Sequence, residues 1–484
     1  MVSATLLHVG SKGPEDKHLY GNPKMTYFKN VFVKSRNFVI EYSKIPKTES
    51  YVDFDRTFRV KIPKSGDLLA GVYLDFKLKD LLRTGAEYVG SDKIPDTSRK
   101  ARFTSYVNGI GYNIIRSIKL YIGGAHIQSL NSELIFLINR QNSEYNRIQM
   151  FDHMTNYIDS AVSSIGGFSI ANHNVKDVKC SLWIPFYFSK NPGQYMPICA
   201  LNNTDVELEI SLRSFEECIL RQYNTDDTAP GINGYNPADG SVGNEGTNLG
   251  GDINNPIPAK HTKYNEPISG GIEYFDIITQ KIYLDSDDQK LFKMCPKLDY
   301  LIEINQIGNQ EIIDDPIDGD DHVIEITAKH PTKYITWLLQ REDVLKDNYY
   351  DNYTYDFGAK YDDGRPNYIL SNELLKESDI LINNNSLFEG IRTKFLTNIQ
   401  TYERFKGISF MPIYLYNFSL SPDANDPSGT MNMSMYNKKH IRINLTNINN
   451  FTNQGKKENI LLRYYTTYYN ILSISDGLAG LIYN

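Results

Sequence analysis

A period of two runs through this chain almost from end to end, and it narrows the possible folds more than any other feature. Phe54, Phe58, Val60 and Ile62 alternate with Asp53, Asp55, Thr57, Arg59 and Lys61. Val72, Leu74, Phe76 and Leu78 alternate with Tyr73, Asp75 and Lys77. Ile118, Leu120 and Ile122 follow the same rule, and so do Val206, Leu208, Ile210 and Leu212 against Glu207, Glu209, Ser211 and Arg213. Successive strand side chains point to opposite faces, so this pattern predicts antiparallel sheets wet on one side and buried on the other. Tyr and Phe outnumber Trp 57 to 2 (35 + 22 against 2), a bias that suits pleated, half-buried surfaces.

Helices are few. Ser132 to Arg140 predicts one with Ser132 as N-cap, and Asp285 to Met294 predicts another, with an acidic first turn and Pro296 as its stop. After the second helix the strand pattern restarts. Tyr300 to Ile313 and Asp320 to Thr327 flank Asp314-Asp-Pro-Ile-Asp-Gly319, which reads as a hairpin with an Asp-Gly turn. Ile335, Trp337 and Leu339 mark the next strand, and Trp183 and Trp337 both read as core anchors. Met411-Pro-Ile-Tyr-Leu415 echoes Ile184-Pro-Phe-Tyr-Phe188. A chain of 484 residues is long for one core, so the expectation is two copies of one β sandwich. Asn224 to Pro258 and Asp343 to Asn385 interrupt the rhythm and read as long surface loops.

Little in the chain suggests chemistry. Gly167-Phe-Ser-Ile-Ala171 lacks the last glycine of a nucleophile elbow, Gly109-Ile-Gly111 lacks the third glycine of a dinucleotide loop, and Gly10-Ser-Lys-Gly13 is too short to cradle phosphate. His126, His173 and His330 sit beside turn residues, and no pair has metal-ligand spacing. The acids between Asp314 and Asp321 do not match a calcium loop. Cys180, Cys199 and Cys218 fall in strand-like segments and read as buried thiols; with Cys295 they form no CxxC pair. These residues predict no catalytic, cofactor-binding or metal site. A net charge of −7 without a basic cluster argues against direct contact with nucleic acid. Met1 to Gly13 has one short apolar patch, Ala4 to Leu7, and no signal architecture, which predicts a soluble, unsecreted chain. Sequons at Asn202, Asn352, Asn384, Asn417, Asn432, Asn444 and Asn450 read as chance matches in an Asn-rich chain, although surface glycans stay among the conceivable partners.

Several motifs in order carry a family resemblance. They are Met25-Thr-Tyr-Phe-Lys-Asn-Val31 with Arg36-Asn-Phe-Val-Ile-Glu41; Val52-Asp-Phe-Asp-Arg56; and Ser65-Gly-Asp-Leu-Leu-Ala-Gly-Val-Tyr-Leu74. Further on come Trp183-Ile-Pro-Phe-Tyr-Phe-Ser-Lys-Asn-Pro-Gly193, Pro197-Ile-Cys-Ala-Leu201, Tyr283-Leu-Asp-Ser286 and His330-Pro-Thr-Lys333. The most specific are Asp426-Pro-Ser-Gly-Thr-Met-Asn-Met-Ser434, whose Met431, Met433 and Met435 read as one strand face, and the closing Tyr468 to Asn484. Together these resemble the major capsid proteins of nucleo-cytoplasmic large DNA viruses. Two departures stand out: Val33-Lys-Ser-Arg36 replaces a basic Arg-Arg-His stretch, and Met433 replaces an aromatic.

The resemblance implies an all-β double jelly roll, two tandem eight-stranded antiparallel sandwiches with few short helices and long loops. The implied layout is an N-terminal arm over 1–25, a first jelly roll over 26–285 with the loop 224–258, a linker helix over 286–297, and a second jelly roll over 298–484 with the loop 343–385. The implied function is structural. Homotrimeric, pseudo-hexagonal capsomers would tile an icosahedral virion shell over an internal membrane, held by minor capsid proteins and assembled in host cytoplasm. The signature positions carried over are Pro185, Pro192, Gly193, Pro427, Ser428, Gly429, Thr430, Asn470, Gly477 and Gly480. The rivals are a minor or penton-like jelly roll, and a glycan-binding sandwich stacking sugars on Tyr349, Tyr350, Tyr353 and Tyr355. An enzyme is the third and is disfavoured by the missing histidine cluster.

Overall fold

In the computed structural model the described residues are 34–46, 52–83, 103–157, 177–222, 268–317, 319–346, 348–353, 373–407, 411–424, 426–446, 452–453, 456–457 and 459–483, with a few single positions before 34. Met1–Phe38 and Val39–Asn484 are separate compact units, and the second carries the sheets.

The first eight principal strands are β1 (Phe38–Lys44), β2 (Thr57–Lys61), β3 (Leu68–Leu78), β4 (Ile115–Ile122), β5 (Ala125–Leu130), β6 (Lys179–Trp183), β7 (Val206–Leu212) and β8 (Ile272–Leu284). They form two sheets, ordered β1-β8-β3-β6 and β2-β7-β4-β5. The next eight are β9 (Lys297–Ile307), β10 (Asp321–Glu325), β11 (Pro331–Arg341), β12 (Leu375–Ile382), β13 (Asn385–Ser386), β14 (Tyr414–Asn417), β15 (Lys439–Leu445) and β16 (Ile460–Ser475). Their orders are β9-β16-β11-β14 and β10-β15-β12-β13. Subtracting eight from the second pair of orders reproduces the first pair. The chain is two tandem eight-stranded jelly rolls, and the internal repeat suggested by one short echo is a repeat of topology.

Alternation explains each sandwich. In β7, Val206, Leu208, Ile210 and Leu212 are buried while the residues between them are half-buried. Leu208 sits opposite Val60 on one side and Leu120 on the other. Outside, Glu209 bridges Arg59 at 2.7 Å and Lys119 at 3.0 Å, so the wet face is a cross-strand ladder of opposite charges. Phe76 stacks on Phe275 in the first core, and Trp337, fully buried, lies near Tyr414 in the second.

The principal helices are α1 (Ser132–Asn142), α2 (Tyr145–Thr155) and α3 (Ser286–Met294). The α3 prediction holds, with the Asp285 carboxylate accepting from the Ser286 amide. The cap of α1 is Asn131 rather than Ser132: its side-chain oxygen accepts from the Leu134 amide, and Ser132 lies inside the helix, where its hydroxyl accepts from Arg213.

Other expectations need correction. Asp314 to Gly319 is not a hairpin. Glu311–Ile313 pairs with β16 in one sheet, while β10 pairs with β15 in the other, so the turn carries the chain across the sandwich. Gly319 has the positive φ of a turn residue, yet its amide bonds to Leu445, a strand distant in sequence. The Asp343 to Asn385 loop is shorter than expected, because Glu342–Lys346 is helical and β12 begins at Leu375. Asp379, the polar residue that hid β12, is buried and ion-paired to Arg442 at 3.0 Å. Met431–Asn432 is only a two-residue strand; the chain then turns, burying Met433 and exposing Met435. Trp183 is half-buried on the outward phase of β6, whose Cys180 and Leu182 point inward. Cys199 and Cys218 are buried but sit in 3-10 turns, and Cys295 is exposed. Asn224–Pro258, Gly167–Ala171, Gly10–Gly13, His173 and Tyr355 lie outside the described residues.

Trp337 fills the second core from a central strand. Trp337→Ala is expected to lower unfolding free energy by about 3–5 kcal/mol, read as a shift in the denaturant midpoint at unchanged slope.

Candidate functional site

Interior Leu, Ile and Tyr strands close each sandwich on itself, but β11 has no wet face. Ile335, Trp337 and Leu339 enter the second core, while Leu338 belongs to the first. Ile302, Ile304, Tyr465, Leu472 and Ile474 join the first core in the same way. This sheet of the second sandwich is therefore covered by the first sandwich and by α1, and the seam between the halves is the molecule's principal built site.

α1 is the wedge in that seam. Leu134 to Gln141 are all buried, a pattern that only a helix with neighbours on every side can tolerate. Its one acidic residue, Glu133, is gripped by side chains of the second half. Arg463 is bidentate, donating from Nε at 2.8 Å and from Nη2 at 2.6 Å. The Tyr353 hydroxyl donates at 3.0 Å, and the Tyr465 hydroxyl donates to the other carboxylate oxygen. Burial alone would push the Glu133 carboxyl up; the Arg463 charge and the hydrogen bonds outweigh it and hold it below the ordinary value of 4.5. Burial, and after it the charge of this carboxylate, pushes the Tyr353 and Tyr465 hydroxyls up. Gln340 finishes the cluster. Its oxygen accepts from Arg463 at 2.5 Å, while its amide donates to the carbonyls of Tyr349, Tyr350 and Asn352 and so fixes the segment that delivers Tyr353.

A second cluster runs in the opposite sense. Glu303 of β9 accepts from Lys333 of β11, whose side chain is fully buried, and from Lys190 of the first half at 3.5 Å. Burial pushes the Lys333 ammonium down, against the pull of Glu303. Further contacts line the seam. Gln141 donates to Thr336 at 3.1 Å, Gln194 to the Leu301 carbonyl at 2.8 Å, and Asn348 to the carbonyls of Glu216 and Ile219. The Gly407 amide donates to the Gln141 carbonyl at 2.9 Å, and a Cβ at Gly407 would stand 1.9 Å from the Arg140 carbonyl oxygen. Only glycine lets the chain pass there.

The signature positions divide between this seam and elsewhere. Gly477, at φ 78, turns the hairpin between β16 and Leu478–Leu481. Its carbonyl accepts from the Thr204 hydroxyl at 3.0 Å, which clasps the C-terminal hairpin to the first half. Asn470 is buried and donates to the Tyr483 carbonyl at 2.6 Å, holding the tail down. Pro185, Pro192 and Gly193 shape the segment that carries Lys190 and Gln194 to β9. Pro427, Ser428, Gly429 and Thr430 lie on the segment that leads into Met431–Asn432. The Ser428 hydroxyl lies 2.6 Å from that of Ser419 and accepts from the Ser421 amide, stapling this segment to the one after β14. Nothing in the structure explains Gly480, where a Cβ would meet nothing within 4 Å.

Of the tyrosines expected to stack on sugars, the three described ones face inward. Tyr353 is buried, Tyr349 and Tyr350 pack against the first core, and Arg213 lies 4.1 Å over the Tyr350 ring. Among the described residues no His, Cys, Asp and Glu gather as a metal site, and Gly109-Ile-Gly111 lies in a buried helical turn. Glu133, Arg463 and Glu303 were not singled out from the sequence, and Lys333 entered only as the last residue of the His330-Pro-Thr-Lys333 motif. A usable signal existed for the first two: each is a lone charge in an apolar run, Glu133 before Leu-Ile-Phe-Leu-Ile and Arg463 between Ile-Leu-Leu and Tyr-Tyr.

Two family descriptions match in tandem: "Major capsid protein N-terminus" over residues 26–246 and "Large eukaryotic DNA virus major capsid protein" over residues 292–480. The chain is 24% identical to "Probable capsid protein 4" of Acanthamoeba polyphaga mimivirus, over 99% of this chain and 98% of that one. It is 23% identical to the major capsid protein of Paramecium bursaria Chlorella virus 1, over 97% of each. Its fold superposes on a chain of the PBCV-1 virus capsid with a TM-score of 0.67 at 19% identity, covering 95% of this chain and all of that one. The Faustovirus major capsid protein gives 0.61 at 10% identity, covering 96% and 95%.

Two outcomes follow from the seam. Glu303→Ala strands the Lys333 ammonium in a dry site and is expected to cost about 3–5 kcal/mol, read by chemical unfolding. The Glu133 carboxyl is held below its ordinary value, so its contribution is complete above about pH 4.5 and is lost as pH falls through its folded value. Melting temperature is therefore expected to stay level down to about pH 5 and to drop below it, with Glu133→Gln flattening that acid limb.

Proposed function

Because the chain belongs to the family of large eukaryotic DNA virus major capsid proteins, we propose that it assembles as homotrimeric, pseudo-hexagonal capsomers that tile an icosahedral virion shell. The family is structural, not enzymatic, and the place of such a protein is the capsid of the virion. The observation that carries the proposal is the repeated sheet order: two copies of one jelly roll in one chain give each subunit two similar lobes, so three subunits present six. A penton-like protein with a single sandwich would lack that geometry.

The halves divide at α3. The N-terminal arm is 1–25, the first jelly roll 26–285, the linker 286–297 and the second jelly roll 298–484. The Asp67 carboxylate accepts from the Leu284 amide and from Gln289, which moors the linker to the first half. The signature positions other than Gly480 serve as structural fasteners in this scheme. Assembly takes place in host cytoplasm, and the shell overlies an internal membrane and engages minor capsid proteins. The −7 charge keeps it away from the genome. Surface glycans, if carried, belong on the exposed loops and not on Tyr349, Tyr350 or Tyr353.

Native mass measurement of the purified chain tests this reading. A species near three times 55.4 kDa is expected, and a chain that stays monomeric at every concentration would sink it.

A further inference from the structure

The seam holds two carboxylates that point in opposite directions across it. Glu133 belongs to the first half and is held by Arg463, Tyr465 and Tyr353 of the second. Glu303 belongs to the second half and is held by Lys190 of the first together with Lys333 of its own. We infer that these reciprocal clusters are a two-point key that sets the angle between the jelly rolls, an orienting role over and above what they add to stability. The inference rests on the capsomer reading for its purpose, because three lobed subunits close into a ring only at one fixed angle.

Three observations support this role. Buried ion pairs contribute little net stability against apolar side chains of equal volume, since desolvation offsets most of the attraction. Neither Arg463 nor Lys333 is therefore explained by folding alone. The apolar part of the seam, with Ile302, Ile304, Leu338, Leu472 and Ile474, is non-directional and would tolerate sliding or rotation. The polar part is directional. Arg463 meets Glu133 through two parallel bonds in a planar fork, and small rotations break one of them. A single pair would leave a pivot; the second cluster on β9 is the other charged point that opposes it, beside neutral bonds such as Gln141 to Thr336 and Gln194 to the Leu301 carbonyl.

Glu133 and Arg463 are positioning residues, so their test needs a readout that a purely stabilising role would not move. The full-length chain is spin-labelled at Lys61→Cys and Val323→Cys, one exposed position in each half, in a Cys295→Ser background that leaves only buried thiols. Labelled chain is diluted into excess unlabelled chain so that distances within one subunit are read by pulsed dipolar spectroscopy. The parent is expected to give one narrow distance distribution. The paired replacement E133L/R463M leaves the Tyr353 and Tyr465 hydroxyls without their acceptor and is expected to melt below the parent. Its distribution, read well below that melting temperature, is expected to roughly double in width, as for domains whose interface no longer fixes them. A parental width in that variant overturns the inference, because packing alone then sets the angle. If E133L/R463M does not fold, Glu133→Gln is read in the same way: widening supports the key and a parental width refutes it. Native mass of the unlabelled parent is measured separately. A monomeric parent ends the capsomer reading and leaves the distance result standing.

Discussion

The structure depends on one central strand being dry on both sides. β11, with β16 beside it, closes the second sandwich with one face and packs against α1 and the first sandwich with the other, while Ile302 and Ile304 of β9 join the first core alone. Covering the second face is favourable for its Ile, Leu and Tyr residues. It would be costly for Arg463, Gln340, Thr336, Lys333 and Glu303 without partners, because a buried polar group left unpaired loses its hydration for nothing. Each of these five has a partner, and the partners of Arg463, Thr336 and Glu303 include groups from the first half. The two jelly rolls therefore complete each other chemically as well as sterically.

That mutual completion bears on shell building. Domains joined only by a linker move relative to one another, and a large interface with satisfied polar groups suppresses that motion. A subunit that must meet identical neighbours at repeated angles gains from such stiffness. The outer face of β2-β7-β4, by contrast, is an exposed ladder of opposite charges, with Arg59, Lys119 and Lys61 against Glu209 and Asp205. Such a face is comfortable in water and individually weak in its pairings. The molecule thus places two charge clusters at the internal seam and leaves the pairs on this outer face solvated.

Strand positions and the two-sandwich architecture were legible because alternation is a local signal. β7 runs from Val206 to Leu212, as its pattern indicates. The errors fall where a distant partner overrides local preference. Asp314 to Gly319 has hairpin chemistry, yet its flanking strands find partners in opposite sheets. β12 was hidden because Asp379, which reads as a surface residue, is buried against Arg442. Tyr349, Tyr350 and Tyr353 looked like exposed loop aromatics, and the first core claims them. The glycines and prolines of the signature were visible as turn formers, but not which turn would touch the other half.

Taken by itself, the sequence determined the strands with clean alternation, such as β2, β3, β4, β7 and β11, the location of α3 and, through its ordered motifs, the family. Periodicity and turn chemistry are properties of neighbours along the chain, so a linear reading can recover them. Tertiary structure alone decided which charges would be buried and with whom. Glu133 and Arg463 stand 330 positions apart, and Lys190 and Glu303 113 apart. No local pattern encodes such a pairing, because it depends on where two sheets come to rest against one helix.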